Sequence, residues 1–420
     1  MRASRRSPQV PMEQLPLFPV PAYHETASGF VDSIVRFEEF GRRTMTEVAD
    51  GITYHVNEFW TSGQRRSHSI HEISYRACFK AQLPAFFITR LTRPDEAVHD
   101  PFMGRGTTLV EAALMGRRCC GNDINPLSVF LTRPRLRPIR LADVAESLRT
   151  IDWQRGDIGN EELLAFYHPA TLRQLEALRL WLGERAPPGG DMPDPVTDWI
   201  RMVALNRLSG HSPGFFSGRS MPPNQAVSIK AQHSINRRLG IPPPEKDVTG
   251  LILRKTRSLL RNGQVPSPAI SQLFTGPAWD TPCIEDASID LVVTSPPFLD
   301  VVQYAADNWL RCWFAGIDPD EVELSMHGSV EAWMAMVASV LAEQARIVRP
   351  GGWVAFEVGE VRRGRVLLEK LVWQAAGQLP FRRVGVMVND QEFTKTANCW
   401  GVTNRSKGTN TNRIVLLHRQ

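Results

Sequence analysis

The sequence predicts an α/β fold, and three observations predict it. Between residues 97 and 124 an apolar run, a Gly-rich turn, a helical stretch and a second apolar run follow one another, which is how a nucleotide-binding sheet opens. The same strand–helix alternation returns after residue 276. Between the two, residues 140–275 are mainly helical, basic and broken by Pro/Gly clusters. The pattern is that of a Rossmann-like sheet carrying a large helical insertion.

Composition agrees. The chain has 420 residues, 42% hydrophobic and 22% charged, which excludes fibrous and wholly disordered classes and leaves room for two or three domains. Residues 1–28 are basic, carry five prolines and lack the apolar core of a secretory signal, so they read as a flexible arm. No run approaches the roughly 20 apolar residues of a membrane helix. The expectation is a soluble, cytoplasmic protein without a membrane partner. The six cysteines form no C-x-x-C pair, so no metal is predicted.

The elements follow in order. Residues 29–95 read as helical. Residues 97–102 form a short buried strand ending in a turn. Residues 107–115 form a helix with Leu109, Val110, Ala113 and Leu114 on one face, and Gly116 ends it. Residues 119–124 form a second strand. Within the insertion, 170–183 is a helix, and the strings at 209–216 and 221–225 are ordered loops. Residues 289–294 are apolar and β-branched, 330–348 form a long helix ended by Arg349-Pro350-Gly351-Gly352, and strands at 353–358, 381–388 and 413–418 close the series.

Charge is unevenly spread. Residues 201–262 hold eleven basic residues and two acids, a local +9 in a chain whose total is +5. That block reads either as a polyanion-binding face, driven by counterion release, or as a solvated face with no partner.

The string Asp100-Pro101-Phe102-Met103-Gly104-Arg105-Gly106-Thr107-Thr108 is the first chemical signal. Gly104 and Gly106 let the backbone approach a ligand closely, and the next helix offers free N–H groups, with Thr107 and Thr108 in its first turn. Asp123, seventeen residues past Gly106, ends the next strand, where an acid accepts hydrogen bonds from ribose hydroxyls.

With Gly121-Asn122-Asp123-Ile124-Asn125-Pro126 and Thr294-Ser295-Pro296-Pro297-Phe298, these strings resemble the S-adenosylmethionine-dependent DNA amino-methyltransferases. They are similar to that family's motifs I, II and IV, and residues 71–80 to its motif X. The resemblance implies a class I methyltransferase sheet over residues 29–139 and 276–420, with S-adenosylmethionine as cofactor. It places Asp100 near the methionine amino group, Phe102 against the cofactor, Asp123 on the ribose, and Tyr75 and Phe79 at the methionine end. It also makes 140–275 the target-recognition region for double-stranded DNA. There Arg237, Arg238, Arg254, Lys255 and Arg257 would meet phosphates, while Asn224 and Gln225 read either as base-reading residues or as turn residues.

Methylating an exocyclic amine requires acceptors that orient its hydrogens and hold its nitrogen in line with the methyl group. Ser295 supplies an oxygen, Pro296 a carbonyl that Pro297 stiffens, and Phe298 a face on which an extruded base stacks. In the family, Ser at the head of this motif goes mostly with cytosine N4 and Asp with adenine N6, so Ser295 favours cytosine N4. Pro282-Cys283 resembles the nucleophile of cytosine-C5 enzymes, but it precedes the 289–294 strand, where that nucleophile would follow it. The polar strings 393–402 and 409–413 read as pocket-lining or as self-satisfied loops. Adenine N6, RNA bases and a silent nucleic-acid-binding subunit stand as alternatives. A restriction–modification role implies a partner endonuclease and a nucleoid location.

Overall fold

The computed structural model describes residues 23, 26–61, 67–75, 78–187, 190–220, 226–266, 269–298, 304–318, 322, 329–361, 365–390 and 411–420. Asn224, Gln225, the 393–402 string and nearly all of the expected N-terminal arm lie outside them. Helix α1 (Ala27–Val35) leads to the hairpin β1 (Met45–Ala49) and β2 (Ile52–Asn57), then α2 (Gln82–Leu91), β3 (Ala97–Asp100), α3 (Thr107–Leu114), β4 (Arg118–Asp123) and α4 (Pro126–Thr132). Next come α5 (Leu141–Arg149), α6 (Pro169–Arg185), α7 (Pro195–Arg207), α8 (Ile229–Leu239) and α9 (Val248–Leu259). The chain returns to the sheet through β5 (Ser271–Thr275) and β6 (Ile289–Thr294), then α10 (Tyr304–Ala315), α11 (Val330–Ile347) and β7 (Val348–Val358). The small hairpin β8 (Glu360–Val361) and β9 (Val366–Leu367), helix α12 (Leu368–Ala375), β10 (Phe381–Asp390) and β11 (Thr411–Arg419) complete it.

Nine of the described strands form one sheet, in the order β1-β2-β10-β11-β7-β6-β3-β4-β5. Strands β3 to β7 pair in parallel, and β11 runs antiparallel to both β7 and β10. Both faces are covered, which is why β6 reads as a continuous apolar run rather than an alternating one. Phe30, Phe86, Phe87 and Leu109 bury one face, and Trp333, Val337, Leu341 and Val372 bury the other. The α/β expectation therefore holds.

Three features depart from the sequence reading. Residues 29–95 were expected to be helical, but they contain the β1–β2 hairpin, whose β2 pairs in parallel with β10. Its signal is Asp50-Gly51, both at positive φ (52° and 75°), the two-residue turn that matches the twist of a hairpin. The span 140–275 ends in β5, which pairs with β4, so α5 to α9 occupy the crossover from α4 to the sheet's far edge. These helices share one core with α4 (Phe130, Leu131), α10 (Leu310, Phe314) and Ile73. In addition, β7 begins at Val348, so the Arg-Pro-Gly-Gly turn lies within that strand's span. Among the described residues no helix is long and apolar enough to cross a membrane.

Buried Asn389, near the end of β10, ties the added hairpin to the sheet. Its Oδ1 accepts from Phe59 N (2.7 Å) and Trp60 N (3.2 Å). Asn389→Ala leaves both donors buried without that acceptor and is expected to lower unfolding stability by about 2–4 kcal/mol, read from urea midpoints at unchanged slope. A change below about 0.5 kcal/mol contradicts this anchoring role.

Candidate active site

In this strand order β3 and β6 are neighbours whose connections leave in different directions. A crevice therefore opens at their C-terminal ends, the place where open α/β sheets bind ligands. Asp100 ends β3, Asp123 ends β4, Ser295 follows β6, and Glu357 stands next to last in β7. The topology thus brings the expected cofactor residues and the expected reacting residues to one rim.

The loop between β3 and α3 has little freedom. Gly106 sits at φ +71°, and a Cβ there would lie 2.3 Å from Thr132 Oγ1, so glycine is required. Gly104, at φ +49°, donates its N–H to Asp123 Oδ2 at 2.7 Å and lies under the Tyr75 ring. Asp123 Oδ1 accepts from Asn125 N, and Asn125 Nδ2 donates to the Tyr75 hydroxyl at 3.0 Å. Asp100 Oδ1 accepts from Phe102 N and from Thr294 Oγ1, the latter at 2.6 Å. Thr108 donates its hydroxyl to Val293 O, and Thr107 accepts from Arg105 Nε, so both hydroxyls brace the loop. Phe79 packs against the α2–α3 core.

Burial pushes the Asp100 carboxyl up to about 7, against the hydrogen bonds that favour its ionised form, and the Asp123 charge adds to the rise. Burial likewise pushes Asp123 up to about 6. Among the described residues no salt bridge reaches either. Two desolvated carboxylates beside a glycine cradle suit a ligand that brings its own positive charge and ribose hydroxyls. S-adenosylmethionine, with an ammonium, a sulfonium and a ribose, fits that donor set.

Side chains that the motifs did not reveal hold the segment carrying Tyr75 in place. Arg105 donates to Ile73 O at 2.7 Å. Arg135, fully buried, donates to Leu131 O and to Arg105 O, and burial lowers its guanidinium to about 9. His71 meets Glu111 of α3 at 2.6 Å. The residue types gave no hint of these roles, because the acceptors are mostly backbone carbonyls distant in sequence.

At the reacting end, the β6–β7 register pairs Thr294 with Phe356, which sets Ser295 beside Glu357. The Ser295 hydroxyl hydrogen-bonds the Glu357 carboxylate, which also accepts from Asn412 Nδ2 at 2.9 Å. Burial pushes Glu357 above the usual carboxylate range. Trp333 Nε1 donates to Pro297 O at 2.9 Å and fixes the turn. Pro296 is buried, Pro297 is exposed, and Phe298 packs with Phe102 against the same apolar cluster. Sequence reasoning missed Glu357 and Trp333, since each lies on an element remote from the motif it supports.

The insertion's expected contacts divide. Arg237 and Arg238 on α8 and Arg254 and Arg257 on α9 are exposed. Lys255 is not a free surface charge: its side chain is 10% exposed and its Nζ lies 3.6 Å from Glu72. Cys283 lies in the loop before β6.

The strand order and this crevice are those of an open α/β sheet with its ligand site at the C-terminal ends of the strands. Residues 42–129 match the family model described as DNA methylase. The chain is 28% identical over 132 residues to the type II methyltransferase M.MvaI of Kocuria varians, covering 30% of this chain and 28% of that one. It is 35% identical over 77 residues to the type II methyltransferase M.MjaII of Methanocaldococcus jannaschii, covering 18% and 14%. The matched stretch thus spans less than a third of either relative. Among solved structures, geranyl diphosphate C-methyltransferase of Streptomyces coelicolor A3(2) superposes with a TM-score of 0.32 at 8% identity over 81% of this chain and 76% of that one. A SAM-dependent methyltransferase of Methanosarcina mazei gives 0.30 at 9% over 78% and 94%. Both likenesses are too distant to add to the strand order.

A cationic ligand binds the ionised forms of Asp100 and Asp123, so protonating them weakens it. Affinity for S-adenosylmethionine, measured calorimetrically from pH 8 down to pH 5.5, is expected to hold above about 7 and to fall below it. Flat affinity across that range contradicts the assignment of the two carboxylates.

Proposed function

We propose that the protein transfers the methyl group of S-adenosylmethionine to the exocyclic N4 of cytosine in duplex DNA. The observation that carries this reading is the Ser295–Glu357 pair at the ends of β6 and β7, one strand from Asp100. The cofactor supplies an electrophilic methyl group on a sulfonium. Every other part of the reaction falls to the chain. Ser295 gives its proton to the Glu357 hydrogen bond, so its lone pairs face the incoming amine and accept one N–H. The Pro296 carbonyl accepts the other. Held by both, the nitrogen lone pair is drawn out of conjugation and aimed at the crevice floor.

After transfer the nitrogen carries an extra proton. Ser295 takes it while passing its own to Glu357, whose raised pKa suits a carboxylate that must accept a proton. Asn412 and burial keep that carboxylate aligned. A base stacked in a duplex cannot reach the foot of this crevice, so the target cytosine is extruded onto Phe298. Ser295 in place of Asp supports cytosine over adenine. The exposed arginines of α8 and α9 grip the backbone, and helices α5 to α9 supply target recognition. The type II names of the two relatives support a role beside a restriction endonuclease.

The test is transfer of labelled methyl groups to duplex DNA. Ser295→Ala is expected to lower kcat at least about 100-fold, and Glu357→Gln about 10- to 100-fold, with cofactor affinity within about twofold of wild type in both. A Ser295→Ala variant that turns over at the wild-type rate contradicts the mechanism.

A further inference from the structure

Between α9 and residues 67–75, one carboxylate faces three cations. Glu72 lies 2.8 Å from Arg261 Nη2 and 3.6 Å from Lys255 Nζ, and accepts from Ser258 Oγ at 3.0 Å. Arg207, at the end of α7, senses the same charge. Its guanidinium stacks on Phe215 at 4.1 Å and donates to Asn206 O and Oδ1. Burial, Arg207 and Arg261 push the Lys255 amine down to about 8, against the opposing pull of Glu72. The pocket is therefore short of negative charge, and cations withdrawn from water call for more of it.

Its mouth is open. The Glu72 and Arg261 side chains are 42% and 61% exposed. Arg254 and Arg257 are exposed one turn apart on α9, and Arg261 lies in the turn just past its end. The backbone beneath does not depend on Glu72. Ser69 and Asn262 exchange hydrogen bonds at 3.0 and 3.1 Å, and Ser74 O accepts from Arg311 at 3.0 Å. The Glu72 side chain can therefore swing out while its segment keeps Tyr75 over Gly104.

We propose that this pocket holds a phosphodiester of the DNA backbone, and that Glu72 occupies it in the free protein as a stand-in for that phosphate. The proposal rests on the DNA-methylation reading. A phosphate oxyanion accepts from the same Lys255, Arg261 and Ser258 donors. Binding is an exchange of one oxyanion for another. It fixes the duplex three residues from the aromatic ring that covers the cofactor loop.

The experiment is fluorescence anisotropy of the full-length protein on labelled duplex DNA over a series of salt concentrations. Glu72→Gln is expected to bind about fivefold more tightly than wild type, since a negative charge leaves the phosphate site. Lys255→Met is expected to bind about tenfold more weakly and to lower the slope of log affinity against log salt by about one. The double variant should match Lys255→Met. If Lys255→Met fails to fold, Arg261→Gln, exposed at the mouth, must show the same loss of slope. Wild-type binding with a neutral or weaker Glu72→Gln overturns the pocket alone. A wild type that binds no duplex DNA at low salt overturns the methylation reading and the pocket together.

Discussion

The hydrogen bond from Thr294 Oγ1 to Asp100 Oδ1 spans the two strands between which the crevice opens. Asp100 ends the strand that leads into the glycine loop, and Thr294 ends the strand that leads into Ser-Pro-Pro-Phe. A buried carboxylate without a cation is costly, and this one is tolerated because the Thr294 hydroxyl and the Phe102 amide supply donors. The same contact holds the strand that leads into the glycine loop against the strand that leads into the Ser-Pro-Pro-Phe turn. In the proposed reaction, in-line transfer from sulfur to nitrogen depends on how these two strands are set.

Much of this was readable from residues 97–126 and 289–298. Positive φ at Gly104 and Gly106, an acid at the strand end after the loop, and a proline-stiffened turn after an apolar strand are local features, and local features leave local marks. The β1–β2 hairpin was misread because only Asp50-Gly51 marks it, and β1 is exposed throughout, so no buried periodicity supports it. The strand β5 was absorbed into the insertion because its half-buried edge position gives it a weak apolar signal. Glu357, Trp333 and Arg135 act through partners fixed by strand register or by backbone carbonyls, and no spacing along the chain encodes such partners.

Lys255 shows the same limit from the other side. Its place in a basic run suggested a phosphate contact, and α9 turns it toward Glu72 while Arg254 and Arg257 stay outside. Net charge over a window says how much positive field a region carries, whereas helical phase decides which charges reach the surface. The insertion is likewise less separate than its composition suggests. Its helices share a core with α4, which follows Asp123, and with α10, which follows the Ser-Pro-Pro-Phe turn in the chain.

The central claim is that a Ser–Glu pair, set against a cationic cofactor held by Asp100 and Asp123, methylates a cytosine amine. Its most direct measurement is the identity of the modified nucleoside. DNA treated with the purified protein and S-adenosylmethionine would be digested completely and its nucleosides resolved by mass. The account predicts a single new species, N4-methyldeoxycytidine. N6-methyldeoxyadenosine in its place, or a methylated base in RNA with none in DNA, would contradict it.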